Sequence, residues 1–433
     1  MHLALIVLDG LGDRPNPATG GLSPVEAAST PNLDALGRAG RMGQVVLIGP
    51  GIAPESDAGV LALLGLDPVR DSPGRGVLEA LGIGIPLSPG DVALRLNFAT
   101  ADGDGMILDS RVGRSLTTAE SATLAKAVTD VDLLADEQVR AEVRSTIGHR
   151  GVLWLHPTDG RPLSPDVSNA DPFYEKVGGM GQAAAPARPR RLRVRPLTAS
   201  PEATRTAELV NRFLDRAVPI LLAHSVNAKR ALAGKKIANE LLVRNAGSLP
   251  AVPGPSFRER TGLEGAAITE MPVERGIARL LGLADLYVGP MGPDRDAALA
   301  ERAARTRAAL AEHEFVYVHL KGPDEPGHDG DALRKKEVVE ALDRAFFGPF
   351  RTALDGSGLR VVVTADHATP CIVRGHTDDP VPLLLVGDGV RPDGDRGAVL
   401  KFGEGAAARG SLGTLRGSQV LSLLRNAAAG VPP

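Results

Sequence analysis

Apolar and polar residues follow two patterns along the chain, and each pattern predicts a different kind of element. Continuous runs rich in Val, Leu and Ile are typical of strands that are buried on both faces of a parallel sheet. Spacing that places Ala and Leu on one face and Arg or Glu on the other predicts helices. The apolar runs lie at residues 3–8, 315–320, 359–364 and 381–386, and the helical spacing lies at residues 119–128, 203–218, 296–313 and 332–347. We therefore expect an α/β fold with a mostly parallel sheet flanked by helices.

The middle of the chain has a different texture. Between residues 86 and 282, segments such as 92–98 and 151–156 alternate in polarity, and Pro-rich loops separate them. A stretch of this kind within an α/β pattern predicts an inserted α+β domain. We expect residues 86–282 to form that insertion, and residues 1–85 and 283–433 to form a discontinuous core.

Charge and composition exclude several kinds of partner. The chain has 49 basic and 52 acidic residues and a net charge of -3, so no global basic field favours nucleic acid or an anionic membrane. The single cysteine, Cys371, excludes an intrachain disulfide. No stretch reaches the roughly 18 apolar residues of a membrane span, and the beginning of the sequence does not have the pattern of a signal peptide. We expect a soluble, cytoplasmic protein, and the sequence leaves its oligomeric state open.

Polar side chains follow three of the predicted strands. Because ligands of open α/β sheets bind at the carboxyl ends of the strands, these side chains are expected to form one site. Carboxylates and imidazoles are common ligands of divalent metal ions, and a serine after a Gly/Pro-rich segment adds a possible nucleophile. The candidates are Asp9, Ser56, Lys321, Asp324, His328, Asp366, His367 and His376. The alternative, that polar residues simply end strands, stays open for each strand taken alone.

The spacing of Asp324 and His328 has its own interpretation. Pro326 and Gly327 lie between them, which favours a turn over a helix.

A serine and two metal ions together suit phosphoryl transfer. A free serine hydroxyl is a very weak acid near neutral pH, and a divalent ion can stabilise its alkoxide form. Two such ions can activate the attacking oxygen and neutralise the charge of the phosphoryl group.

The sequence resembles the archaeal-type cofactor-independent phosphoglycerate mutases of the alkaline phosphatase superfamily. The similarity covers nearly the whole chain. It is carried by LDGLGDRP at residues 8–15, TPNLDAL at 30–36, GRGVLEALGIG at 74–84, RLNFAT at 95–100, GHR at 148–150, ADHATPC at 365–371 and DPVPLLLVG at 379–387. The resemblance implies an alkaline-phosphatase-like core with an insertion. It also implies interconversion of 3-phosphoglycerate and 2-phosphoglycerate through a phosphoserine, with neither 2,3-bisphosphoglycerate nor a nucleotide.

The resemblance further implies roles for individual residues. One metal ion would be held by Asp324, His328 and His376, and the other by Asp9, Asp366 and His367, with Ser56 bridging as the nucleophile; Mn, Zn, Co or Mg would suit these ligands. Lys321 would supply a point charge near the transferring group, and guanidinium groups would bind the phosphate and carboxylate of a small substrate. The substrate-binding set is Asp109, Arg111, Arg114, His149, Arg150, Asp171, Arg244 and Lys321.

Two positions depart from the family pattern. Val60 and Phe173 stand where the family has histidines, so two titratable groups are replaced by apolar ones. A specialised relative that transfers or hydrolyses a related phosphate or phosphonate ester therefore stays open. A noncatalytic phosphoanion-binding protein with the same fold is a further alternative.

Overall fold

The protein is described here by a computed structural model. It covers residues 2–177, 180–184, 186–252, 254–352, 354, 358–393 and 401–426. The chain divides into two compact units, Met1–Ser72 with Pro255–Pro433 and Pro73–Gly254. The organisation is thus discontinuous, with one unit inserted into the other along the sequence.

The strands are numbered in chain order. They are β1 (His2–Leu8), β2 (Arg41–Val46), β3 (Val92–Ala101), β4 (Ile107–Asp109), β5 (Val139–Ser145), β6 (Arg150–Pro157), β7 (Tyr174–Val177), β8 (Met180–Ala183), β9 (Glu240–Gly247), β10 (Gly265–Thr269), β11 (Ala284–Tyr287), β12 (Phe315–Leu320), β13 (Leu359–Thr364), β14 (Val381–Gly387) and β15 (Thr414–Arg416).

The α-helices are numbered in the same way. They are α1 (Pro24–Ala27), α2 (Pro31–Ala39), α3 (Ser56–Leu63), α4 (Pro68–Asp71), α5 (Arg75–Gly82), α6 (Thr118–Thr129), α7 (Pro201–Ala223), α8 (Ser225–Leu232), α9 (Phe257–Thr261), α10 (Pro272–Leu281), α11 (Arg295–Glu312), α12 (Asp324–Asp329), α13 (Ala332–Ala341), α14 (Gly348–Arg351), α15 (Glu404–Ala408) and α16 (Gly417–Arg425). Short 3-10 turns lie at Pro17–Thr19, Val112–Arg114 and Ala135–Glu137, and a π-helical turn, Leu342–Phe347, joins α13 to α14.

The first unit contains a mixed, mostly parallel sheet. Its strand order is β11-β10-β12-β1-β13-β14-β2-β15. The five consecutive strands β11, β10, β12, β1 and β13 are parallel to one another. Strand β1 lies between β12 and β13. All residues of β12 and β13 are buried, as the continuous apolar runs predict. The run at 381–386 is β14, but β14 is antiparallel to both β13 and β2, so the expectation of a parallel strand there was wrong.

The second unit contains an antiparallel sheet in which β6 and β9 both pair with β3, and β5 pairs with β6. One face carries Leu94, Leu96 and Phe98, which pack in a core with apolar residues of α6 and α7. The opposite face carries Ala93, which clusters with residues of α5. Because β-strand side chains alternate between faces, Arg95 lies on the same face as Ala93. The second unit therefore has one apolar face and one face with charged residues.

The unit boundaries differ from those expected at 85/86 and 282/283. Helix α5, at Arg75–Gly82, belongs to the second unit because it packs on β3 and β9. Strand β10, at Gly265–Thr269, belongs to the first unit because it pairs with β12 in the main sheet. The change of sequence texture near residue 86 reflects the start of β3 and comes after the unit has already begun. Within the described residues, none of the helices combines the length and the hydropathy that a membrane span requires.

A partly buried carboxyl group at the start of α15 gives the first unit a pH-dependent stability. Glu404 accepts hydrogen bonds from the Asp13 backbone N–H at 3.1 Å and from the Ser23 hydroxyl at 2.5 Å. Burial, with a further contribution from Glu26, raises the pKa of Glu404 to about 7. Because this pKa is above the unfolded value, the folded state binds the proton more tightly. Its contribution to stability is therefore full below about pH 4 and is lost as the pH rises through about 7.

We predict that Glu404→Gln removes this dependence. The stability of the variant relative to the wild type should rise between pH 5 and pH 8, by up to about 3 kcal/mol. Urea unfolding followed by circular dichroism at several pH values measures the difference. Glu312→Gln, at the exposed end of α11, is the matched control and should follow the wild type. An unchanged pH slope in Glu404→Gln would contradict the assignment.

Candidate active site

Three neighbouring parallel strands of the first unit end in polar residues. Asp9 follows β1, Lys321 follows β12, and Asp366 and His367 follow β13 within three residues. Since β1 lies between β12 and β13, these side chains come together at the carboxyl edge of the sheet.

The first group of possible metal ligands is fully buried. Ligand atoms of Asp9, Asp366 and His367 all lie within 4.8 Å of one another. Asp9 Oδ1 and Asp366 Oδ2 are buried and have no hydrogen-bond partner among the described residues. A buried carboxylate oxygen without a partner is costly, and a bound cation would satisfy it. The donor set therefore fits a divalent metal ion.

A second group lies next to the first. Ligand atoms of Asp324, His367 and His376 also lie within 4.8 Å of one another. His376 Nε2 is 3.4 Å from Asp324 Oδ1, and the rings of His367 and His376 stack with their centroids 3.8 Å apart. The family resemblance implies that His367 binds only one metal ion, whereas the structure places His367 in both groups of possible ligands.

His328 borders the second group. Its Nε2 is 3.5 Å from Asp324 Oδ1, and its ring centroid is 5.0 Å from that of His376. Asp324 and His328 lie on α12, so the expectation of a turn was wrong. Pro326 is compatible with the helix because it occupies the first turn, where a backbone N–H has no intrahelical acceptor.

Ser56 is the first residue of α3, and its Oγ lies 3.2 Å from Nε2 of His367. The helix can approach the end of β13 only because residue 59 is a glycine. A Cβ at Gly59 would lie 1.9 Å from the carbonyl oxygen of Asp366. Ser56 is thus held beside both groups by a close contact of α3 with the loop that carries Asp366.

The charged groups of the site shift one another's pKa values. Although burial opposes it, Asp366, Asp9 and Asp324 raise the pKa of His367 to about 9. Burial also opposes the effect of neighbouring cations on Asp9, yet Lys321, His319 and His367 together hold its pKa well below the usual range. The three carboxylates around His367 favour a positive charge at that position, which agrees with a cation bound to the unpartnered carboxylate oxygens.

The sequence analysis did not select His319, Tyr317 and Glu274, three buried residues next to this site. His319 is on β12, and its Nε2 lies 3.7 Å from Asp9 Oδ1 and 3.6 Å from Asp366 Oδ2. Tyr317 Oη is 2.6 Å from His319 Nδ1, and Lys321 Nζ forms ion pairs with Glu274 at 2.8 Å and Asp9 at 3.3 Å. The available signal was a histidine and a tyrosine two residues apart within a strand otherwise rich in apolar residues.

The two loops that carry most of the ligands are tied together by Lys335. Its ammonium group is fully buried and donates to the carbonyl oxygens of Gly10, Gly12 and Thr369 at 2.9, 3.2 and 2.9 Å. It also forms an ion pair with Asp13 at 2.9 Å. Because Gly10 and Thr369 belong to different loops, this single cation fixes the loop after β1 against the loop after β13.

The second unit holds a separate cluster of cations. Arg95 and Arg244 are directly opposite in the pairing of β3 with β9, and Arg150 is opposite Asn97 in the pairing of β3 with β6. These positions share the face that α5 covers. Glu79 of α5 is buried and lies 3.1 Å from Nε of Arg95. Arg75 of α5 also pairs with Glu79, so a single carboxylate serves several guanidinium groups.

Two of the substrate-binding candidates, Arg244 and Arg150, differ in whether the guanidinium group has a partner. Arg244 is buried, pairs with Asp171 at 2.7 Å and lies 4.0 Å above the ring of Tyr174. The guanidinium of Arg150 makes no hydrogen bond or ion pair with a residue in the described part of the chain, although Glu79 acts on it electrostatically. Arg150 is therefore available as an anion-binding group, whereas Arg244, on the same face of the sheet, already has Asp171 as its counter-ion.

His149 and Arg111 join this cluster electrostatically. Burial, together with the positive charges of Arg150, Arg111, Arg95 and Arg244, lowers the pKa of His149 to about 3. His149 is therefore neutral near physiological pH, whereas the guanidinium groups keep their charge.

The side chains of Arg114 and Asp109 make no hydrogen bond or ion pair with a guanidinium group of the arginine cluster among the described residues. Arg114 is exposed. Asp109 pairs with Lys236 at 2.5 Å and accepts a hydrogen bond from the Arg111 backbone N–H at 2.8 Å. Asp109 thus stabilises the loop that carries Arg111.

The mostly parallel sheet, with acids, imidazoles and a serine at the carboxyl ends of its strands, defines an α/β core of the kind on which enzyme sites are built. Residues 37–227 match the family model described as 2,3-bisphosphoglycerate-independent phosphoglycerate mutase. The chain is 46% identical to the 2,3-bisphosphoglycerate-independent phosphoglycerate mutase of Aeropyrum pernix, covering 98% of this chain and 100% of that protein. The protein of the same description from Methanopyrus kandleri is 40% identical, with coverages of 98% and 96%.

A solved structure agrees with these sequences. The cofactor-independent phosphoglycerate mutase from Thermoplasma acidophilum superposes with a TM-score of 0.64 at 33% identity, covering 99% of this chain and 100% of that one. The chain belongs to the 2,3-bisphosphoglycerate-independent phosphoglycerate mutase family and is an enzyme of the mutase type.

We predict that Lys335→Met destabilises the first unit by about 3–5 kcal/mol, because it leaves the buried Asp13 carboxylate without its counter-charge. Urea unfolding followed by circular dichroism measures this loss. Lys336→Met is the matched control: Lys336 pairs with Glu340 on the partly exposed side of α13, and its loss should cost less than about 1 kcal/mol. Equal effects of the two substitutions would show that the Lys335 ammonium does not hold the loops.

Proposed function

We propose that the enzyme interconverts 3-phosphoglycerate and 2-phosphoglycerate through a phosphoserine at Ser56, with the help of divalent metal ions. The observation that supports this most directly is the position of Ser56 Oγ, 3.2 Å from Nε2 of His367 and next to two groups of possible ligands. A hydroxyl held beside buried acids and imidazoles is suited to nucleophilic attack on a phosphoryl group. The names of the similar proteins supply the substrate.

The proposed metal ligands form two sets around Ser56. Asp9, Asp366 and His367 would hold one ion with Ser56, and Asp324, His376 and His328 would hold the other. When bound, such ions would favour the alkoxide form of the serine and neutralise phosphoryl charge. Carboxylate and imidazole ligands suit Mn, Zn or Co, and Mg to a lesser degree.

The proposed reaction consists of two transfers of the same phosphoryl group. In the first, Ser56 Oγ attacks phosphorus and the bond from phosphorus to the C3 oxygen of the substrate breaks. The serine loses one proton, and the released glycerate hydroxyl gains one. In the second, the C2 hydroxyl of glycerate attacks the phosphoserine, the bond to Oγ breaks, and these proton changes are reversed. No external phosphoryl donor is needed.

Lys321 contributes a fixed positive charge. Although burial opposes it, Asp9 and Glu274 raise the pKa of Lys321, so the ammonium form is retained. Its side chain is 20% exposed, and its ammonium group pairs with Asp9 and Glu274. We assign it the stabilisation of phosphoryl charge next to Ser56.

The arginine-bearing face of the second unit has the chemistry to bind anionic groups such as carboxylate and phosphate. Arg150 and Arg244 offer planar forks that match carboxylate and phosphate oxygens. The neutral His149 can donate or accept a hydrogen bond without adding charge. We propose Arg111, Arg150 and Arg244 as the principal anion-binding residues, and we give Arg114 and Asp109 subordinate roles.

A second candidate function rests on the apolar residues at two family positions. Val60 is buried in α3. Phe173 packs against Ala99, Ile107 and Leu242, on the face of the sheet that carries the arginines. An apolar side chain in this place would suit a related phosphate or phosphonate ester with a less polar acid part. In this case the chemistry at Ser56 would be the same and the product would differ.

Phosphorus NMR of the metal-loaded enzyme with 3-phosphoglycerate tests the proposal. We expect the signal of 2-phosphoglycerate to appear, and we expect Ser56→Ala to lower the rate by at least about a thousandfold because the nucleophile is lost. Ser418→Ala, at an exposed serine of α16, is the control and should retain the wild-type rate.

The other outcomes of this experiment discriminate between the alternatives. Release of inorganic phosphate, or no reaction with 3-phosphoglycerate but turnover of another ester, would favour the second candidate function. Isomerisation by Ser56→Ala at the wild-type rate would disprove the phosphoserine. Isomerisation that survives complete removal of metal by a chelator would disprove the metal requirement.

We predict that Arg150→Met raises the KM for 3-phosphoglycerate by about 10-fold or more, which is the expected loss of a charge-assisted contact of about 1.5–3 kcal/mol, and leaves kcat within a few-fold. Steady-state kinetics at saturating metal measure both constants. Arg140→Met is the control, since Arg140 is 62% exposed on β5 and pairs with Glu142. A fall in kcat alone would place Arg150 in the transfer step and outside substrate binding.

A further inference from the structure

We propose that Thr369 is a positioning residue of the metal centre: its hydroxyl fixes the Nδ1–H tautomer of His367 and holds Asp324, and so assigns His367 to the group of Asp9 and Asp366. The inference rests on the proposed metal-dependent function and deepens it. It concerns a residue that is not itself a ligand.

The argument begins with two contacts of one hydroxyl group. Thr369 Oγ1 lies 2.7 Å from Asp324 Oδ1 and 3.0 Å from Nδ1 of His367. A hydroxyl has a single proton, and a carboxylate can only accept. The Thr369 proton therefore goes to Asp324, and the oxygen of Thr369 must accept a proton from Nδ1 of His367.

This donor count decides which nitrogen of His367 can bind a metal ion. With Nδ1 protonated, only Nε2 has a free lone pair. Nε2 lies 3.2 Å from Ser56 Oγ and 3.5 Å from both Asp9 Oδ1 and Asp366 Oδ2. Nδ1, by contrast, is the atom 4.0 Å from Asp324 Oδ1. His367 therefore serves the group with Asp9 and Asp366, and Asp324 is left to His376 and His328.

The surroundings of Thr369 restrict its position. The residue is fully buried, its backbone N–H donates to the Gly12 carbonyl oxygen at 2.9 Å, and its own carbonyl oxygen accepts from Lys335 at 2.9 Å. The absence of a side chain at Gly10 leaves room for the hydroxyl and for Asp324. A Cβ at Gly10 would lie 2.8 Å from Thr369 Oγ1 and 2.8 Å from Asp324 Oδ1. The hydroxyl is thus held between its two partners from several directions.

The position of Thr369 couples the two sets of ligands. Groups that hydrogen-bond metal ligands typically alter metal affinity about 10–100-fold when they are removed, because they set the orientation and tautomer of the ligand. Here the same hydroxyl contacts one ligand from each set. Its loss should therefore weaken the binding of both metal ions.

The first test measures zinc affinity by competition with a chromophoric chelator. We expect Thr369→Val, which keeps the shape and removes the hydroxyl, to weaken zinc binding about 10–100-fold. Thr369→Ser keeps the hydroxyl and should stay within a few-fold of the wild type. Thr269→Val is the matched control, because Thr269 is also fully buried and donates to a carboxylate, that of Asp285, at 2.9 Å.

Thermal unfolding of each variant with and without zinc separates positioning from packing. A merely structural role would lower the midpoints of the metal-free and zinc-loaded proteins equally. The proposed role lowers the stabilisation that zinc provides. Wild-type zinc affinity in a folded Thr369→Val variant would overturn the proposal.

The second test needs no variant. In the zinc-loaded wild type with nitrogen-15 in its histidine rings, long-range NMR correlations should show His367 protonated at Nδ1 and metal-bound at Nε2. The opposite tautomer, or a failure of the wild type to bind zinc, would overturn the inference. Turnover of 3-phosphoglycerate is measured separately, so an inactive enzyme with the expected tautomer and affinities would contradict only the proposed substrate.

Discussion

The buried ammonium of Lys335 is the interaction on which the geometry of the site depends. It lies on α13, far along the chain from the loop after β1, and it binds backbone carbonyl oxygens of both loops that it joins. A lysine that is fully buried must find compensation for its lost hydration, and here three carbonyl oxygens and Asp13 provide it. The same requirement fixes the two loops relative to each other. The acids and imidazoles can then be held close together even though the carboxylates repel one another.

The main features of the fold were predictable from the sequence because continuous apolar runs leave few alternatives. Strands β1, β12 and β13 coincide with the runs at 3–8, 315–320 and 359–364 to within one residue. The direction of β14 was not predictable, because an apolar run contains no information on whether its neighbours are parallel. Strand β10 escaped notice because its sequence, GAAIT, is short and weakly apolar. Pairing with β12 gives it its place in the sheet.

The site was predictable only as far as residue type and strand ends allow. Acidic and imidazole side chains after β1 and β13 could be foreseen from their positions, and the structure brings them together. The role of Lys335 could not be foreseen. Its segment, KKEVVE at residues 335–340, has the charged residues of an ordinary surface helix, and the burial of Lys335 depends on contacts with distant loops. Thr369 was equally inaccessible, because a hydroxyl acquires a role only through the partners that the fold places around it. His319 was hidden in a strand whose other residues are mainly core.

The two units use different kinds of charge, and the difference matches the roles that we propose for them. The first unit relies on carboxylates and imidazoles, groups that can bind metal ions and whose pKa values shift when other charges lie close to them. The second relies on guanidinium groups, which keep their charge at any physiological pH, and it keeps His149 neutral beside them. A centre that activates a hydroxyl needs ligands with free lone pairs, which guanidinium lacks. A face that retains an anion needs charges that burial cannot remove, and imidazole does not meet this requirement. The separation of the two kinds of residue is therefore a chemical consequence of the division between activating a nucleophile and holding an anion.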